Sequence, residues 1–119
     1  MCQRATGGTF AALAGGKPDN FEWTRGTPSF YASSNLAHRA FCERCGTPLS
    51  FKYDTPEARI YTTIGSLDRP DDAPITIQFG IESKLPWVSF CEDVPGEITG
   101  KTAEAQAFLA TMEKHQLSM

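Results

Sequence analysis

The chain has 119 residues, 40% of them apolar and 21% charged, with a formal net charge of −3. That is the length of one domain with a modest core, and the mildly acidic balance excludes the basic footprint of a nucleic-acid or anionic-lipid binder. No apolar run approaches the ~20 residues of a membrane span, and Met1–Gly8 lacks the apolar stretch of a secretory signal, so a reducing cytoplasm is the expected setting.

In chain order, Thr9–Leu13 is a small apolar run ended by Gly15-Gly16 and predicts a buried strand. Lys17–Asn20 is a turn, and Phe21–Arg25 alternates apolar and polar residues with the period of a half-buried strand. After the Gly26–Pro28 turn, a short strand is expected over Ser29–Ala32. Ala37–Phe41 leads into Cys42-Glu43-Arg44-Cys45-Gly46, and Leu49–Tyr53 alternates again on the far side. The two cysteines therefore sit at a hairpin tip between flanking strands. Arg59–Ile64 is β-branched and aromatic, closed by Gly65–Asp68. Arg69–Pro74 is a polar loop, and Ile75–Ile81 is a further strand with Pro86–Val88 packing near its end. Eight Pro and ten Gly supply frequent turns, and the pattern as a whole is mainly β, with antiparallel sheets. The stretch 102–116 changes character. It has no Gly or Pro, and Ala105, Phe108, Leu109 and Met112 share one helical face, with Thr102 as N-cap and Glu104 in the first turn. The predicted organisation is a single domain, 1–119, ending in one helix.

Cys42 and Cys45 carry the main chemical signal. Two thiols spaced C-x-x-C and followed by glycine form a knuckle, in which Gly46 permits the tight turn and backbone N–H groups can bond the sulfurs. A structural zinc takes four ligands and this pair supplies two; two free thiols or a disulfide are the alternatives. Cys2, two residues from Arg4, is a reactive thiol, a ligand, or a terminal residue without a role. Cys91 reads as a small core residue. His38, four residues before Cys42, is a loose candidate for a third ligand and fits a surface strand position better. His115 suits the last turn of the helix, and Asp68, Asp71 and Asp72 read as solvated turn residues.

Four motifs then align in order. Cys2-Gln3-Arg4-x-x-Gly7-x-x-Phe10, Arg39-x-Phe41-Cys42-x-x-Cys45-Gly46-Thr47-Pro48-Leu49, Gly65-Ser66-Leu67-Asp68 and Ser83-Lys84-Leu85-Pro86-Trp87 cover most of the chain. Together they resemble the glutathione-dependent formaldehyde-activating enzymes, a family that also includes a centromere-associated protein. The resemblance implies an Mss4-like fold of antiparallel sheets with a zinc knuckle. It implies carbon–sulfur lyase chemistry on glutathione/formaldehyde adducts, with formation of S-hydroxymethylglutathione.

The resemblance also implies two zincs. A structural one is held by an early C-x-C pair together with Cys42 and Cys45. A catalytic one is held by a C-x-C-x-x-C run whose last member matches Cys2. The early pair and the first two cysteines of the run have no counterpart here. The chain is therefore expected to be an N-terminally truncated member with a half-complete structural site, no catalytic zinc and impaired activity. Arg4 is expected to meet a glutathione carboxylate. The implied partner is a small thiol, with a homodimer across the sheet edge that a missing strand would expose. A non-enzymatic zinc-binding or scaffold module on the same fold is the alternative.

Overall fold

A computed structural model of the chain describes residues 1–89 and 93–113. Cys91 and His115 lie outside the described residues. The elements are α1 (Cys2–Thr6), β1 (Leu13–Gly16), β2 (Ser29–Ser34), β3 (Ala37–Phe41), β4 (Pro48–Tyr53), β5 (Ile60–Thr63), β6 (Gln78–Phe79), β7 (Gly96–Glu97) and α2 (Ala103–Leu109), with short 3-10 turns between several of them. Five strands form one antiparallel sheet in the order β1-β5-β4-β3-β2. The mainly-β, antiparallel class is as the sequence predicts. A small exception is β6, which pairs with β7 in parallel.

Side chains alternate across a strand, so register decides which residues share a face. Successive Cα partners run Tyr31–Arg39–Phe51–Tyr61–Gly15, one residue from each strand in a row across the sheet. Phe51 is buried at the centre of that row, and Ala37, Ala40 and Ile60 are buried around it. Glycine ends the row for a steric reason. A Cβ on Gly15 would stand 2.8 Å from Tyr61 Cε1 and 3.1 Å from its Cδ1. Arg59 Nη2 donates to the Gly15 carbonyl at 3.0 Å and holds the same corner.

The predicted strand over Thr9–Leu13 is therefore displaced. The strand begins at Leu13 and carries both glycines inside it, because Tyr61 requires a residue without a side chain opposite. Phe21–Arg25 is not a strand. Phe21 and Trp23 meet edge-to-face with centroids 4.9 Å apart, so the alternation there reports a local aromatic pair. Ile75–Ile81 shrinks to Gln78–Phe79, the stretch where β7 offers a partner, through Gln78 N–H to the Pro95 carbonyl (2.9 Å) and Gly80 N–H to that of Glu97 (3.0 Å). Phe79 stays 66% exposed and Trp87 71% exposed, so neither packs into the core.

Thr102 caps α2 as predicted, its Oγ1 accepting from Ala105 N–H at 3.1 Å. Phe108 meets Tyr53 edge-to-face at 5.2 Å and packs the helix on the sheet. The helix stops at Leu109, short of the predicted extent, and positions 114–116 lie outside the described residues. Asn35, in the β2–β3 turn, captures the backbone instead. It donates from Nδ2 to the Thr111 carbonyl (2.7 Å), accepts at Oδ1 from Glu113 N–H (2.5 Å), and its own N–H reaches the Glu113 carbonyl (3.0 Å). These bonds pull the chain out of helical geometry within one turn of α2. Among the described residues no helix is long and apolar enough to cross a membrane.

Gly15→Ala should lower stability by about 1–3 kcal/mol, the usual cost of forcing an added carbon into a packed contact. Urea unfolding would read it as a lower midpoint. Most of the loss should disappear when Tyr61→Ala is introduced as well, since the ring is what the new Cβ meets.

Candidate functional site

Two groups of chemically active side chains lie on the same hairpin. The first is built on α1, a single helical turn stopped by Gly7 in the left-handed region at φ 68°. Thr6 Oγ1 returns to the Cys2 carbonyl at 2.9 Å. Gln3 Nε2 spans to the carbonyls of Thr9 and Ser83, each at 3.2 Å, so the first and fourth sequence motifs touch. This places Cys2 over the aromatic row of the sheet. Arg39 Nη2 donates to Cys2 Sγ at 3.5 Å, and the guanidinium carbon lies 4.7 Å from the Phe51 ring centroid. Such a contact holds the cation against the sheet. The Nε of Arg39 is buried and has no hydrogen-bond partner among the described residues. Burial pushes the Tyr53 phenol above its ordinary pKa; negative charge at Cys2 adds to the rise, and Arg39 opposes it. Tyr53 thus lies within electrostatic reach of both.

The second group is the knuckle between β3 and β4. A register shift between Ala40 and Phe41 opens it, and Gly46 turns it in the left-handed region at φ 76°. Gly46 N–H donates to the Cys42 carbonyl (2.7 Å) and Cys42 N–H to that of Thr47 (3.0 Å). Ser29 Oγ on β2 donates to Glu43 Oε2 at 3.1 Å and braces the tip. Cys42 is half-buried and Cys45 exposed. Cys45 Sγ lies 3.1 Å from Thr47 Oγ1. That hydroxyl contact, then the Thr47 backbone and the Cys42 side chain, hold the Cys45 thiol below its ordinary pKa, with Arg44 a smaller cause.

Residues 1–83 match the family described as glutathione-dependent formaldehyde-activating enzyme. The chain belongs to that family. No curated protein and no solved structure matches it. The matched stretch of this family member contains Cys2, Arg39, Cys42 and Cys45, so both groups fall inside it. At the level of the family, the activity is glutathione-dependent formaldehyde activation.

The structure does not gather the candidate ligands into one centre. Among the described residues, no group of three or more His, Cys, Asp or Glu stands ready to hold a metal. His38 points its Nδ1 at Asp54 Oδ1, 2.5 Å away, with both side chains well exposed. It sits four residues up β3 from Cys42, ~13 Å along an extended strand, and joins the surface and not the knuckle. Arg4 is exposed on α1, while Arg39 is hydrogen-bonded to Cys2 Sγ. Arg39 stands in the quoted second motif, yet its place beside Cys2 depends on strand register, which no local pattern encodes. Asp72 pairs with Arg69 at 2.9 Å on the surface, in keeping with a solvated turn. A cleft of about 280 Å³ lies along β1, lined by Leu13, Ile64, Pro74 and Ile75 among others, and no cysteine borders it.

Cys42 and Cys45 are in chemistry two soft donors of the kind a thiolate set uses, on a glycine-closed turn, with the Cys45 thiol held below its ordinary pKa. In the metal-free protein, Thr47→Val should raise the Cys45 pKa towards that of an ordinary thiol, because valine lacks the hydroxyl that stabilises the thiolate. The pH dependence of alkylation at Cys45, followed by peptide mass analysis, should shift to higher pH in the variant.

Proposed function

We propose that this chain is built for carbon–sulfur bond chemistry on a glutathione–aldehyde adduct, with Cys2 as the sulfur at the reacting centre. The observation that supports this is the placement of Cys2, by a family-matched helix, against Arg39 on a wall of Phe51 and Tyr53. A partly buried thiol beside a fixed cation is a suitable surroundings for sulfur chemistry, whereas a frayed terminal cysteine would have neither. Cys42 and Cys45 serve a different purpose in this proposal, as two ligands of a structural zinc that stiffens the hairpin tip below Arg39. The chain's own residues hold Cys2 in place, line the site with aromatic surface, and keep the β3–β4 hairpin in register.

The donor count sets the expected level of activity. The chain has four cysteines and two histidines. In this reading Cys2 is the last member of the three-cysteine catalytic run that the resemblance implies, and a single thiolate does not hold zinc at useful affinity. The chain by itself should therefore have impaired activity. The same count supports the second reading, a non-enzymatic zinc-binding or scaffold module on this fold.

Purified chain mixed with glutathione and formaldehyde should form S-hydroxymethylglutathione no faster than the spontaneous reaction. Metal analysis should return fewer than two zincs per chain, with Cys45→Ser losing most of what is bound. A rate well above the spontaneous one, or two zincs per chain, would contradict this account of the donor set.

A further inference from the structure

The Cys2 site contains a donor that the described residues leave unused. Arg39 bonds Cys2 through Nη2, at the long distance of 3.5 Å, while its Nε–H is buried with no partner among the described residues. In a guanidinium, Nε–H and one Nη2–H point the same way along one edge and form the fork that accepts both oxygens of a carboxylate. The Phe51 ring, 4.7 Å from the guanidinium carbon, and the Cys2 contact hold this group in place before any ligand arrives. A buried donor left unmade is costly, and a charge-assisted bond to an incoming anion would remove that cost.

We propose that Arg39 is the carboxylate-binding residue of the Cys2 site, its Nε–H and Nη2–H taking a carboxylate of the thiol substrate. The weak Nη2–Sγ contact is the one that such a ligand displaces, which frees the Cys2 sulfur next to the bound anion. This assigns to Arg39 the role that the sequence suggests for Arg4. It rests on the reading of Cys2 as the reacting centre, and its test does not depend on turnover.

Iodoacetate and iodoacetamide alkylate a thiolate by the same displacement of iodide and differ in carrying a carboxylate or a neutral amide. Their rate ratio at one sulfur cancels the fraction of thiolate present. Measured at Cys2 by peptide mass analysis, with 2-mercaptoethanol as the unstructured reference, the ratio should favour iodoacetate over the reference by about tenfold, as a preformed cationic fork implies. Arg39→Gln should return it to the reference value. Arg39→Lys should fall between, since lysine keeps the charge and lacks the planar fork.

A wild-type ratio equal to the reference would overturn the proposal without recourse to any variant. So would a ratio that survives Arg39→Gln in a protein whose circular dichroism shows it folded, and full retention in Arg39→Lys would overturn the fork. Selectivity without turnover of glutathione and formaldehyde upholds Arg39 as the anion site and agrees with the donor count, whereas selectivity with turnover upholds Arg39 and faults the donor count. Turnover without selectivity overturns the fork and the donor count together, and leaves Cys2 as the reacting sulfur.

Discussion

The row of cross-strand partners Tyr31–Arg39–Phe51–Tyr61–Gly15 is the constraint on which the site depends. A single-residue slip of β4 against β3 would send Phe51 to the opposite face and leave Arg39 without the ring on which it lies. The row is pinned at one end and in the middle. Gly15 gives way to the Tyr61 ring at one edge, Phe51 is buried at the centre, and Phe51 contacts both Tyr53 and Tyr61 through aromatic faces. With few large side chains buried, a mis-registered sheet loses a large share of its apolar contact at once. The aromatic row therefore specifies the fold and builds the floor of the Cys2 site with the same atoms.

Strand β3 connects this floor to the knuckle. Arg39 and Cys42 are three residues apart on a nearly extended chain, ~10 Å in all. The two groups are thus distinct in position and joined by a short rigid strand. Metal held by Cys42 and Cys45 would act on the Cys2 site by fixing the end of β3, without sharing a ligand with it. The bulge at Ala40/Phe41 lies between them and sets the direction in which the knuckle leaves the sheet. Substitutions in the knuckle would then affect the Cys2 site through the position of Arg39.

The features that were legible in the sequence are local ones. C-x-x-C-G specifies a turn through Gly46 and two adjacent thiols, while β4 announces itself through alternating residues and β5 through β-branched and aromatic ones. Thr102 caps α2 because the cap is a contact three residues long. The misread features depend on distant partners. The end of α2 is decided by Asn35, some 76 residues earlier, and the boundary of β1 by Tyr61, 46 residues later. Helix α1 is a single turn, too short to show a helical period. Ile75–Ile81 has strand composition but finds a partner for two residues only. The contact of Arg39 with Cys2 is likewise long-range, since the residue was visible in the sequence and its neighbour was not.

The central claim is that Cys2 and the Cys42/Cys45 knuckle are separate centres, and cobalt substitution tests it most directly. Thiolate ligands give bound cobalt(II) a charge-transfer absorption that scales with their number. Cobalt added to the metal-free chain should give a spectrum that Cys2→Ser leaves unchanged and Cys45→Ser reduces sharply. A loss in Cys2→Ser equal to one thiolate ligand would mean that Cys2 shares the knuckle's metal, and would contradict the account given by the β3–β4 register.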